Sequence, residues 1–204
     1  MLTEQDLLGR LAFLQVIEPL KSTVRSAHLA DGRHESTADH TWRLGLWVMT
    51  FTDQRPDLDP LKMLKIALIH DLGEAIHGDT PAPEQLPGDN KAARERADLA
   101  TLLAPLPTAL ADELMALWDE YEAKSSPEGA FVCGLDKLET ILQHNQGLNG
   151  PDFDYAFNLH YGAKHTDDGG LLTQLRAVLD QTTQARGHAQ TAPSNVAQVA
   201  ARAD

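Results

Sequence analysis

The sequence has almost no cysteine, few cations for its acids and no long apolar run, and each shortage excludes something. A single cysteine, Cys133, stands among 204 residues. It cannot close an internal disulfide, which fits a reducing compartment and predicts a cytoplasmic protein. Lys and Arg number 17 against 30 Asp and Glu, a net charge of −13. A surface that acidic repels phosphate rails, so no nucleic acid polymer is expected as a partner. The apolar stretches are broken by charge well short of the ~20 residues a membrane span requires. The opening MLTEQDLLGRLAF shows no cationic region followed by an apolar stretch and a cleavage site, so neither targeting nor membrane insertion is expected. Internal repeats are absent, as is any alternating strand pattern with hairpin turns.

What is present is a helical period. Hydrophobic residues make up 42% and charged residues 23% of the chain, ordinary globular values that support a core without covalent staples. Thr3 with Asp6 forms a capping-box pattern opening a first helix, whose Leu7, Leu11 and Leu14 share a face. Pro19 weakens that helix, and HLADGRHE reads as a polar loop. A second helix starts near Ser36 with the stripe Leu44, Trp47, Val48 and Phe51. A third has Pro60 in its first turn and Leu61, Leu64 and Leu68 as its expected buried face. HGDTPAPEQLPGDN is a long irregular segment, and such loops in compact domains are functional or disordered. Helices resume at about 90–104, 107–124 and 127–147, the last with the stripe Phe131, Leu135, Leu138 and Leu142. A final helix carries Leu171, Leu175, Val178 and Leu179. The expected architecture is one all-α domain over residues 1–187, followed by a disordered tail over 188–204.

Three segments carry chemistry on this background. His40 lies four residues before Leu44 and so shares its core-facing stripe. His70 and Asp71 adjoin near the end of the third helix, and Asp136 sits between Leu135 and Leu138. A histidine or aspartate beside a buried face needs a partner. Taken singly, His40 reads as a hydrogen-bonded core histidine, Asp71 as a helix-end residue and Asp136 as a partner of Lys137 or Arg43. Taken together, two imidazoles and two carboxylates on three helices supply a mixed coordination sphere for a divalent transition metal or a harder cation.

The ordered set His40, His70-Asp71 and Asp136 resembles the signature of the HD-domain metal-dependent phosphohydrolases. ESTADHTWR, HDLGEAIHGDTPAP, LWDEYEAKSSPEGAFV and LDKLETILQ are similar to its 5'-deoxynucleotidase-like branch, and the likeness runs from about Leu7 to Gln146. The resemblance implies a helical bundle of the HD-domain type. It implies that His40, His70, Asp71 and Asp136 bind one divalent ion (Mn, Co, Mg, Fe or Zn), and that Glu74 and Asp79 are catalytic. It further implies that Arg25 contacts the substrate, that the substrate is a nucleoside 5'-monophosphate hydrolysed to nucleoside and phosphate, and that the protein is a homodimer. Arg33, Arg43 and Lys137 are weaker phosphate candidates, and Arg43 is placed to orient a carboxylate instead. Which of Glu74 and Asp79 is the acid and which the base stays open.

Two features refine the expectation. Relatives of this branch have a tryptophan after the substrate arginine that crowds the ribose 2'-hydroxyl; here VRSAHLADG puts Ser26 and His28 in that neighbourhood, which weakens the case for strict deoxyribose preference. HD phosphodiesterases use further histidines between the doublet and the last aspartate, whereas this chain has only His77 there. A non-catalytic nucleotide-binding domain is the remaining alternative, and the intact set of six site residues argues against it.

Overall fold

The computed structural model describes residues 1–81 and 90–191. Its helices are α1 Glu4–Val16, α2 Thr37–Phe51, α3 Pro60–Ile69, α4 Glu74–His77, α5 Lys91–Leu103, α6 Thr108–Ala123, α7 Pro127–Gln146, α8 Tyr155–Asn158, α9 Ala163–Thr166 and α10 Leu171–Thr191. The starts of the helices follow the sequence chemistry. Thr3 and Asp6 cap α1 reciprocally, and Ser36 and Asp39 do the same for α2. The Asp59 side chain accepts from the Leu61 and Lys62 amides ahead of α3, and Ser126 accepts from Gly129 ahead of α7.

α7 is the central helix, packed against α2, α3, α6 and α10. Its approach to the last helices is close: a Cβ on Gly134 would stand 2.4 Å from Leu172 Cδ1. Leu44 and Val48 from α2, Met63 and Ile66 from α3, and Leu135, Leu138 and Ile141 from α7 are fully buried and form the centre of the core. Among the described residues, no helix is long and apolar enough to cross a membrane.

Several expectations need correction. HLADGRHE is not wholly a loop: β1 Val24–His28 and β2 His34–Ser36 pair antiparallel around it, and this hairpin is the one sheet among the described residues. The hairpin sits on α7, where Gln143 Nε2 donates to the His28 carbonyl at 2.5 Å. On α3 the buried side is Met63, Ile66, Ala67 and Ile69, while Leu61 and Leu68 are 62% and 53% exposed. α3 is apolar nearly all round, so its leucine spacing did not identify its inner face. On α10, Leu172 and Leu179 are buried but Val178 is exposed. That helix also continues to Thr191, taking in the first four residues of the expected tail; residues 192–204, and 82–89 of the irregular segment, lie outside the described residues.

Candidate metal centre

α2 delivers His40 one turn after its cap, at 0% exposure. α3 ends at Ile69, so His70 occupies the helix cap and Asp71 the turn after it. The His70 carbonyl accepts from Trp118 Nε1–H at 2.9 Å, which ties this helix end to α6. α7 supplies Asp136, also buried.

These four side chains converge. His40 Nε2 lies 3.1 Å from Asp136 Oδ1 and 3.8 Å from Asp71 Oδ2. His70 Nε2 lies 3.0 Å from Asp71 Oδ2 and 4.0 Å from Asp136 Oδ1. Both Nε2 atoms are buried and make no hydrogen bond of sound geometry. The opposite ring nitrogens are engaged: His40 Nδ1 contacts Glu139 Oε2, and His70 Nδ1 lies 2.9 Å from the Ala67 carbonyl. With Nδ1–H donated in this way, Nε2 is the ring atom each histidine turns to the shared gap, the arrangement of metal-ligating histidines. The donor set therefore fits a divalent cation.

The electrostatics of the metal-free chain agree. Burial and the Arg25 charge oppose protonation of His40, yet Glu139 and Asp136 lift its pKa to about 10. Against the cost of burial, His70, Arg25 and His40 hold Asp71 well below the usual carboxylate range. Lys137 and the two imidazoles do the same for Asp136. The carboxylates on either side of His40 thus hold a proton on it that a metal would displace. Asp136 Oδ2 also accepts from Tyr121 Oη–H at 2.7 Å and from Lys137 Nζ at 2.8 Å.

A cavity of about 920 Å³ opens beside this cluster and is lined by Asp71, Asp136, Arg25, Ser26, Glu74 and Asp79 among others. Arg25 reaches it from β1, with Nη1 3.3 Å from Asp71 Oδ2 and Nη2 3.3 Å from Thr140 Oγ1. Its Nε lies 3.3 Å from Glu35 Oε2. Glu74 starts α4 at 3% exposure and accepts from Thr37 Oγ1–H at 2.9 Å. Burial first, then Asp71 and Asp79, push its pKa up to about 9, against the pull of Arg25 and Lys91. Gly78, at φ 81°, turns the chain out of α4 and sets Asp79 on the cavity wall.

Not every expected residue is in this place. Ser26 lines the cavity, but His28 does not: its ring lies against His34, with centroids 4.2 Å apart. Arg33 is taken up at the surface by Asp39. Arg43 binds Glu139, the carboxylate-orienting role open to it in the sequence. Glu139, Thr140 and Lys91 went unnoticed in the sequence. For Glu139 a signal existed, because it is four residues after Leu135 and so borders a buried stripe.

A family model described as an HD domain matches residues 17–176. The 5'-deoxynucleotidase HDDC2 of Homo sapiens is 36% identical over 138 residues, which are 67% of this chain and 67% of that protein. The 5'-deoxynucleotidase hdd1 of Schizosaccharomyces pombe is 37% identical over 137 residues, 64% of this chain and 68% of that protein. Among solved structures, a predicted metal-dependent phosphohydrolase from Magnetospirillum magnetotacticum MS-1 superposes with a TM-score of 0.74 at 27% identity, over 91% of this chain and 97% of that one. By the match over residues 17–176 and by these relatives, the chain belongs to the HD domain family.

Proposed function

We propose that the chain is a metal-dependent phosphomonoesterase acting on nucleoside 5'-monophosphates. The observation that carries this reading is the pair of buried, unsatisfied Nε2 atoms facing Asp71 and Asp136 beside Arg25. His40, His70, Asp71 and Asp136 would hold one divalent cation. When bound, such an ion supplies Lewis acidity toward a phosphoryl oxygen and the attacking water. Arg25, always charged and forked, binds the phosphate oxygens from the hairpin side. Glu74 and Asp79, two of the carboxylates on the cavity wall, are assigned to take the proton from water and return one to the departing 5'-oxygen. The suppressed ionisation of Glu74 fits a group that exchanges protons near neutrality once cationic charge stands nearby.

The relatives are named for deoxynucleotides, and Ser26 qualifies that for this chain. It is exposed on the cavity wall, in the neighbourhood where the resemblance puts a tryptophan, so a ribose should be admitted as well. The partner is a small nucleotide, in a cytoplasmic protein with no affinity for nucleic acid polymers or membranes. A homodimer is supported by α1, which buries none of its residues although it carries Leu7, Leu8, Leu11 and Leu14. Phosphate release from ribo- and deoxyribonucleoside 5'-monophosphates, diphosphates and cyclic nucleotides with added Mn, Co, Mg or Zn tests the proposal. Metal-dependent release from the 5'-monophosphates is expected; release confined to cyclic nucleotides, or none with any metal, would overturn it.

A further inference from the structure

On the side of His40 away from the cavity lies a buried ionic circuit. Glu139 is three residues beyond Asp136 on α7, so the helix that presents one carboxylate to Nε2 of this imidazole brings another to Nδ1. Glu139 is 0% exposed. Its Oε2 contacts His40 Nδ1, and its Oε1 accepts from Arg43 Nε at 2.6 Å and pairs with Arg43 Nη2 at 2.6 Å. Arg43 stands three residues after His40 on α2 and is itself fixed by donating from Nη1 to Gln146 Oε1 at 3.0 Å. Glu35 approaches the same guanidinium at 3.9 Å and reaches Arg25 with its other oxygen.

A buried pair of this kind contributes little to stability, and apolar residues of similar volume commonly do as well or better. Its effect here is directional. His70 has its Nδ1 beside a backbone carbonyl, which no substitution removes. His40 has a side-chain carboxylate in that place, so its orientation depends on a residue that can be changed.

We propose that Glu139 is a positioning residue for metal binding: it fixes the His40 ring and tautomer so that Nε2 faces Asp71 and Asp136, and Arg43 holds Glu139 in place. The inference rests on the metal-centre reading above. Carboxylates behind a ligating histidine raise its donor strength, and their loss lowers metal affinity by about 10–100-fold.

The test is calorimetric titration of the metal-stripped full chain with Mn²⁺, for wild type, Glu139→Gln and the double variant Glu139→Gln/Arg43→Gln. The single change keeps volume and an acceptor oxygen but removes the charge; the double change also removes the unmatched guanidinium. Mn²⁺ affinity should fall about 10–100-fold in both. Turnover should recover at high Mn²⁺, with KM for the nucleotide unchanged at saturation. Affinity within twofold of wild type in a folded variant, with only a lowered Tm, would reduce Glu139 to a structural role and overturn the inference. Failure of wild type itself to bind Mn²⁺, Co²⁺, Mg²⁺ or Zn²⁺ would overturn the metal centre, and this proposal with it.

Discussion

Replacing Glu74 with Gln should stabilise the metal-free protein while nearly abolishing turnover. Glu74 is 3% exposed, accepts one hydrogen bond from Thr37, and has Lys91 Nζ no nearer than 4.0 Å. Burial and the anionic Asp71 and Asp79 raise its pKa from an ordinary 4.5 to about 9. A carboxyl held above its unfolded-state value lends the fold full support below pH 4.5 and loses that support as the pH climbs toward 9. Each pH unit within that window is worth about 1.4 kcal/mol, so by pH 7 the wild type has given up about 3 kcal/mol. Gln never ionises, keeps the volume and can still accept from Thr37. In a chain of this size the gain corresponds to a Tm higher by about 6–12 °C. Melting curves in chelator from pH 4.5 to pH 8 should show the two proteins converging at the acid end and separating as the pH rises. Added Mn²⁺ should narrow the separation, since cationic charge beside Asp71 favours the ionised carboxylate. Turnover should fall by about 10²–10⁴-fold if Glu74 transfers a proton. A Tm offset that does not vary with pH, or a variant that melts below wild type at pH 7.5, would refute the reasoning.

Other perturbations separate the roles of the site residues. His70→Ala or Asp71→Ala should each lose most bound metal and activity while the helical circular dichroism is kept; full metal occupancy in both would remove them from the ligand set. Asp79→Asn should retain metal and lower kcat by about 10²–10⁴-fold if it moves a proton, whereas wild-type turnover would leave it a turn residue. Wild type should favour deoxyribo over ribo substrates by less than about 10² in kcat/KM, the limit of a wall that only crowds a hydroxyl. Ser26→Trp should widen that ratio, and an unchanged ratio would detach sugar choice from this strand. Leu11→Glu/Leu14→Glu should convert a dimer to a monomer by light scattering; a wild-type monomer would show that α1 is not an interface.

The local signals in the sequence were strong where one face and one cap decided the outcome. Ser36 with Asp39 starts α2, and His40 at the spacing of Leu44 enters the core. The signal failed where several arrangements satisfied the same pattern. α3 has Leu61, Leu64 and Leu68 on one side and Met63, Ile66 and Ala67 on the other, and only packing against α2, α6 and α7 chooses between them. The hairpin was hidden because VRSAH and HES are short and mostly polar. It holds its place through tertiary contacts, the Gln143 bond to the His28 carbonyl and the Leu148 amide bond to the Leu29 carbonyl at 3.0 Å. Arg43 and Glu139 are 96 positions apart, and no local period links them.

The order of the four donors along the chain has a consequence for synthesis. His40, His70 and Asp71 come from the first half, whereas Asp136 lies on α7, far downstream. A chain emerging from the ribosome carries three donors long before the fourth, and an unfolded segment holds them in no fixed geometry. α7 is in turn held from behind by α10: Asn145 Nδ2 donates to the Leu179 carbonyl at 3.2 Å, and Thr183 donates to Asn145 Oδ1 at 3.0 Å. If these four residues hold the ion as proposed, loading follows translation of most of the chain, and a polypeptide stalled before α7 gains no protection from it.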